Sequence, residues 1–134
     1  MKATDLMVGD YISVKPSGMP IKVAAVHHKK VAYHAVINKL TWVRESLLEP
    51  ILLTPEILEK NGFVLKPDGW LWCKEEGIDD KNYIFIQFRK GCDEVRLVEL
   101  NFVNKVLAKY EQIHYAHELQ HALRLCGIKK EIVL

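Results

Sequence analysis

The residues best placed to do chemistry lie in one run, His117-Glu118-Leu119-Gln120-His121, with His114 one turn earlier. The run matches H-E-x-x-H, which on a helix sets two imidazoles one turn apart beside a carboxylate. In that pattern the histidines hold zinc and the glutamate is the general base for a zinc-bound water. A catalytic zinc needs three protein ligands and an open position. The metzincin extension requires Gly at 124 and His at 127, where this chain has Arg124 and Gly127. A glutamate from a later helix could only be Glu131, because thirteen residues follow His121. His114 is too crowded on the same helix, which leaves a remote His27, His28, His34 or cysteine. With six His and eleven Glu in 134 residues, chance alone gives the motif in roughly one such chain in fifty. The sequence therefore favours a seam of packed, hydrogen-bonded histidines, with no catalytic residue and no cofactor. The alternative is a minimal zinc-dependent hydrolase, with Glu118 as base and His114, His117 and His121 as candidate ligands.

No other enzymatic pattern is present. There is no Gly-rich phosphate loop and no G-x-S-x-G. Glu75-Glu76 and Asp79-Asp80 sit in a stretch of mixed charge that reads as a solvated hairpin tip. Cys73, Cys92 and Cys126 are odd in number and lack C-x-x-C spacing, which points to free thiols in a reducing cytoplasm. Cys73 reads as a small core residue, and Trp42, Trp70 and Trp72 read as core rather than as stacking platforms.

Charge offers a second candidate. The net charge is only +2, yet residues 1–44 carry seven Lys/Arg against two Asp, a net +5. Residues 45–134 carry twelve against fifteen, a net −3. Lys22, His27, His28, Lys29 and Lys30 are the candidate binding residues for an anionic partner. The plainer reading of the same residues is a solvated basic face.

These residues must be positioned by short elements. Tyr11 to Val14 alternates as a strand, and Lys15-Pro16-Ser17-Gly18 is a turn. Ile21 to Val26 reads as one strand, His27 to Lys30 as a hairpin tip, and Val31 to Val36 as the next strand. Leu40 to Arg44 and Leu47 to Leu53 follow. Thr54-Pro55-Glu56 is a helix start and Asn61-Gly62 a stop, giving a helix from Pro55 to Lys60. Phe63 to Lys66, Trp70 to Lys74, Tyr83 to Phe88 and Val95 to Leu100 form a second β unit, with turns at 67–69 and 91–93. Both faces of Tyr83–Phe88 are largely apolar, which predicts a central strand covered on both sides. A long C-terminal helix is predicted from about Asn101 to Cys126. Its apolar stripe of Val103, Val106, Leu107, Tyr110 and Ile113 changes sides near residue 114.

The predicted class is α+β in a single domain. A small SH3-like β-barrel or meander over 1–53 precedes an α-β-β-β-α unit over 54–134. The length of 134 residues supports one ordinary core. No apolar run approaches the ~18 residues that span a bilayer, and the N-terminus has no signal-peptide pattern. A cytoplasmic protein without membrane contact is expected.

The segment Glu49-Pro50-Ile51-Leu52-Leu53-Thr54-Pro55-Glu56-Ile57-Leu58-Glu59-Lys60-Asn61-Gly62-Phe63, with Gly9-Asp10-Tyr11-Ile12 before it and Tyr115 to His121 after it, carries a resemblance. It resembles uncharacterised small proteins of gut Bacteroidales, their phages and mobile elements, which share an "EPIPLTPEILEKNGF … YVHELQ" pattern. Those proteins often have Pro where this chain has Leu52, and Gln and Asn at the positions of Glu118 and His121. The resemblance spans most of the chain and implies no activity. Its setting implies a role in DNA handling or in interference with host defence. Taken together, the residues predict a non-enzymatic binding or adaptor protein with a basic N-terminal face. Its partner would be a protein, a second copy of the chain meeting through Tyr115, Leu119 and Leu123, or nucleic acid.

Overall fold

The computed structural model describes residues 1–65, 71–75, 83–88, 95–102, 105–110, 113–125 and 132–134. The turns at 67–69 and 91–93, the acidic pair Asp79-Asp80, Trp70, Cys92, Cys126 and Glu131 lie outside them, as do the side chains of Trp72 and Cys73. The class is α+β with antiparallel sheets. The chain divides into two compact units: Met1–Leu52 with Tyr115–His117 and Leu134, and Leu53–His114 with Glu118–Val133.

The first unit is a meander of six strands. They are Tyr11–Val14 (β1), Met19–Lys22 (β2), Ala25–His27 (β3), Lys30–Val36 (β4), Lys39–Arg44 (β5) and Leu48–Glu49 (β6). They form two three-stranded sheets, β2-β1-β6 and β3-β4-β5, and hydrogen bonding does not close these into a barrel. Ile12 and Ile21 from one sheet and Val31 and Val43 from the other meet in one core with Ala3, Leu6, Val23 and Leu48. Ile21 to Val26, predicted as one strand, is two. The Val23 N–H donates to Asp10 O at 2.8 Å, while the Ala24 N–H donates to Ala32 O at 2.8 Å. Neighbouring residues thus bond to different sheets, and the apolar run hides the transfer because both sides of it face the same core. Likewise, only Leu48–Glu49 of the predicted strand 47–53 forms a strand, after a 3₁₀ turn at Glu45–Leu47, and Leu52 makes an isolated antiparallel bridge with Tyr115.

The second unit holds a helix, Pro55–Lys60 (α1), then Val64–Leu65 (β7), Leu71–Glu75 (β8), Tyr83–Phe88 (β9), Val95–Phe102 (β10), Lys105–Tyr110 (β11) and a helix Ala116–Leu125 (α2). The strands make one antiparallel sheet in the order β11-β10-β9-β8-β7. β9 is central, as predicted. Ile84, Ile86 and Phe88 are buried on its core side, but Phe85 and Gln87 are only half-buried. Ile84, Ile86 and Phe88 share a core with Leu53, Leu58, Phe63, Val98, Leu119 and Leu123.

α1 follows its local code. Thr54 accepts from the Ile57 N–H as N-cap, and Pro55 opens the helix. At the other end Gly62 takes φ +82°. The Gly62 N–H donates to Glu59 O and the Phe63 N–H to Leu58 O, a Schellman stop. Asn61 then ties the helix end to a distant part of the chain. Its Nδ2 donates to Ile57 O and to Val133 O, both at 2.7 Å, and its Oδ1 accepts from the Val133 N–H at 2.8 Å.

The long C-terminal helix is a correction. Residues 105–110 are β11, paired antiparallel with β10 across a bulge at Leu100/Asn101, and the helix occupies only Ala116–Leu125. Lys105-Val106-Leu107-Ala108-Lys109-Tyr110 fits a period of two as well as one of 3.6, and a short apolar run does not decide between them. The change of side near residue 114 marks the real junction of strand and helix. No described helix is long and apolar enough to cross a membrane.

Candidate functional site

α2 carries the H-E-x-x-H run, and one side of it is packed into the core. Leu119 and Leu123 are fully buried in the second unit's own core. They are therefore not free to bury against a second copy, contrary to the self-association face read from the sequence. His117 is buried and stacks on Tyr115, with centroids 6.0 Å apart and an interplanar angle of 10°. His114 and His121 are half-buried. Glu118, the third residue of the helix, turns back, and its Oε1 accepts from the His114 N–H at 3.1 Å. A glutamate here closes the open first turn in the manner of a capping box. The nearby Gln120 Nε2 donates to Ile132 O at 3.4 Å. Among the described residues no three His, Cys, Asp or Glu side chains converge as metal ligands.

The second candidate lies on the sheet β3-β4-β5. Its register sets Ala25, Ala32 and Trp42 in one cross-strand row and His27, Lys30 and Arg44 in another. His34 pairs with Leu40. Alternation places all of these on one face, because Val31 and Val43, one residue away, point into the core. At its centre Trp42 is 43% exposed, which corrects the reading of this tryptophan as core. The Lys30 Nζ lies 4.9 Å from the Trp42 centroid, and the His27 ring meets the indole edge-on at 6.3 Å and 82°. Such an exposed cation–π contact contributes about 0.5–1 kcal/mol and holds the indole in place.

The face is electropositive by composition. Residues 11–44 carry six Lys/Arg and three His and not one Asp or Glu. Among the described residues Lys29, Lys30 and Arg44 form no ion pair. Glu45, next along the chain, is turned away, and its Oε2 accepts from the Ala3 N–H at 2.9 Å.

Of the five binding residues read from the sequence, His27 and Lys30 meet at Trp42. His28 and Lys29 form the two-residue turn between them, with His28 at φ +29°. Lys22 is separate. It belongs to β2 in the other sheet, with its Nζ 5.9 Å from the Tyr11 ring. The fold adds Trp42, Arg44, His34 and Leu40 to the face. Their signal in the sequence is the alternation Leu40-Trp42-Arg44 beside a two-residue turn at Ile37-Asn38, where Asn38 takes φ +63°. Asn tolerates that conformation, so the turn fixes the register that brings Trp42 to the histidine–lysine tip. Among known proteins, no family, curated protein or solved structure matches this chain.

Proposed function

We propose that the chain is a non-enzymatic binding protein that takes an anionic partner on the outer face of β3-β4-β5, and that its first unit is an SH3-like module. The carrying observation is an exposed Trp42 set among His27, Lys30 and Arg44 on a stretch without a single carboxylate. The SH3-like reading is supported by the path of the strands. The second strand of the meander breaks at Val23-Ala24 and serves both sheets, and one 3₁₀ turn precedes the last strand. The setting proposed for this binding role is a phage or mobile element, as the sequence resemblance implies.

Uncompensated cations on one face attract polyanions, and the attraction falls with salt. Retention on immobilised heparin tests this. The natural chain elutes at clearly higher salt than a Lys30→Glu/Arg44→Glu variant of unchanged circular dichroism. Equal elution of the two would remove the face as the binding site.

A further inference from the structure

We infer that the anionic partner is single-stranded nucleic acid, held by a base stacked on Trp42 with its neighbouring phosphates on Lys30 and Arg44. This rests on the polyanion reading and adds to it the chemistry of the indole. A surface suited to phosphate alone needs cations only. Here the one large aromatic of the face is left 43% exposed beside the row His27–Lys30–Arg44, and Leu40, 42% exposed, extends the apolar strip along the same strand. Exposed tryptophan in a positive field suits a ligand with both a flat π-face and a negative backbone. A duplex buries its base faces in its own stack, whereas a single strand offers them. The sheet is also well made for this task. The side chains of Trp42 and Arg44 lie two residues apart on one strand and project from the same side, and Lys30 sits across from Arg44. His27, edge-on to the indole, fixes the ring without covering it fully.

Removing one stacking aromatic weakens affinity roughly ten- to hundredfold. The salt slope of single-strand binding falls by about 0.7 for each phosphate that a cation no longer neutralises. The experiment uses the full chain and end-labelled twelve-nucleotide single strands, DNA and RNA, beside the matching duplex. Anisotropy is followed across a salt series, with tryptophan fluorescence recorded in parallel. The single strands bind at least tenfold tighter than the duplex and quench fluorescence. Trp42→Ala weakens single-strand binding roughly tenfold or more and leaves heparin retention in place. Trp42→Phe, which keeps a ring and guards against a folding defect in the alanine variant, retains most of the affinity but loses the quench. Lys30→Glu lowers the salt slope by about 0.7, the loss of one neutralised phosphate. Equal binding of duplex and single strand, or single-strand affinity indifferent to both Trp42 variants, overturns the stacking proposal while salt-dependent heparin retention keeps the polyanion reading. Loss of both nucleic-acid binding and heparin retention overturns the two together.

Discussion

Two histidine-bearing regions of this molecule carry opposite messages. The helix α2 bears the recognisable motif, yet His117 is buried against Tyr115 and Glu118 closes the helix's own first turn. The β3–β4 hairpin bears no motif, yet His27, His28 and His34 are all exposed, and the cations Lys29 and Lys30 beside them make no ion pair among the described residues. A pattern of residue types signals chemistry only where the fold leaves those groups free to meet a ligand. In α2, His117 and Glu118 serve packing and capping, whereas the histidines of the hairpin face solvent.

That contrast can be broken or sharpened by substitution. His117→Ala should show the largest effect, a loss of about 2 kcal/mol in urea denaturation, from the cavity and the missing stack on Tyr115. His27→Ala should stay within about 0.5 kcal/mol of the natural chain, as surface changes do. Equal losses at the two positions would dissolve the distinction between committed and available histidines. Glu118→Ala comes next, at about 1 kcal/mol, the usual cost of removing a cap. Glu118→Gln should lose less than half of that, because an amide oxygen still accepts from the His114 N–H. A glutamine variant as damaged as the alanine variant would show that the carboxylate's charge, not its cap, is what matters. The smallest effect is a gain. His28 sits at φ +29°, in the region that favours glycine. His28→Gly should raise stability by about 0.5 kcal/mol, the relief of the backbone cost less the added freedom of the unfolded chain. A loss instead would mean that the His28 side chain itself holds the hairpin.

Local rules do not reach the bond from Asn61 to Val133, but they make the bounds of α1 legible, since Thr54, Pro55 and Gly62 each act within one turn of their own position. The same is true of β1, β4 and β5, and of the basic tip at His27 to Lys30. What is not legible is pairing. β11 and a helix explain residues 105–110 equally well until β10 is known to lie alongside. The break at Val23-Ala24 depends on which sheet takes each amide. Trp42 reads as core because large aromatics usually are, and only the register with β4 turns it outward. The candidate site is half visible for the same reason. Its cations lie close together in the chain, but the ring they surround comes from the neighbouring strand.

The Asn61 clamp bears on how this protein is made. Asn61 leaves the ribosome 72 residues ahead of Val133, whose amide and carbonyl it binds. At elongation speeds of about 5–20 residues per second, that gap lasts roughly 4–14 s. Throughout it, the nascent α1 has its start and its stop but not the partner that anchors its far end. The second unit therefore reaches its closed form only once Val133 has emerged, and a chain cut short before that point cannot complete it.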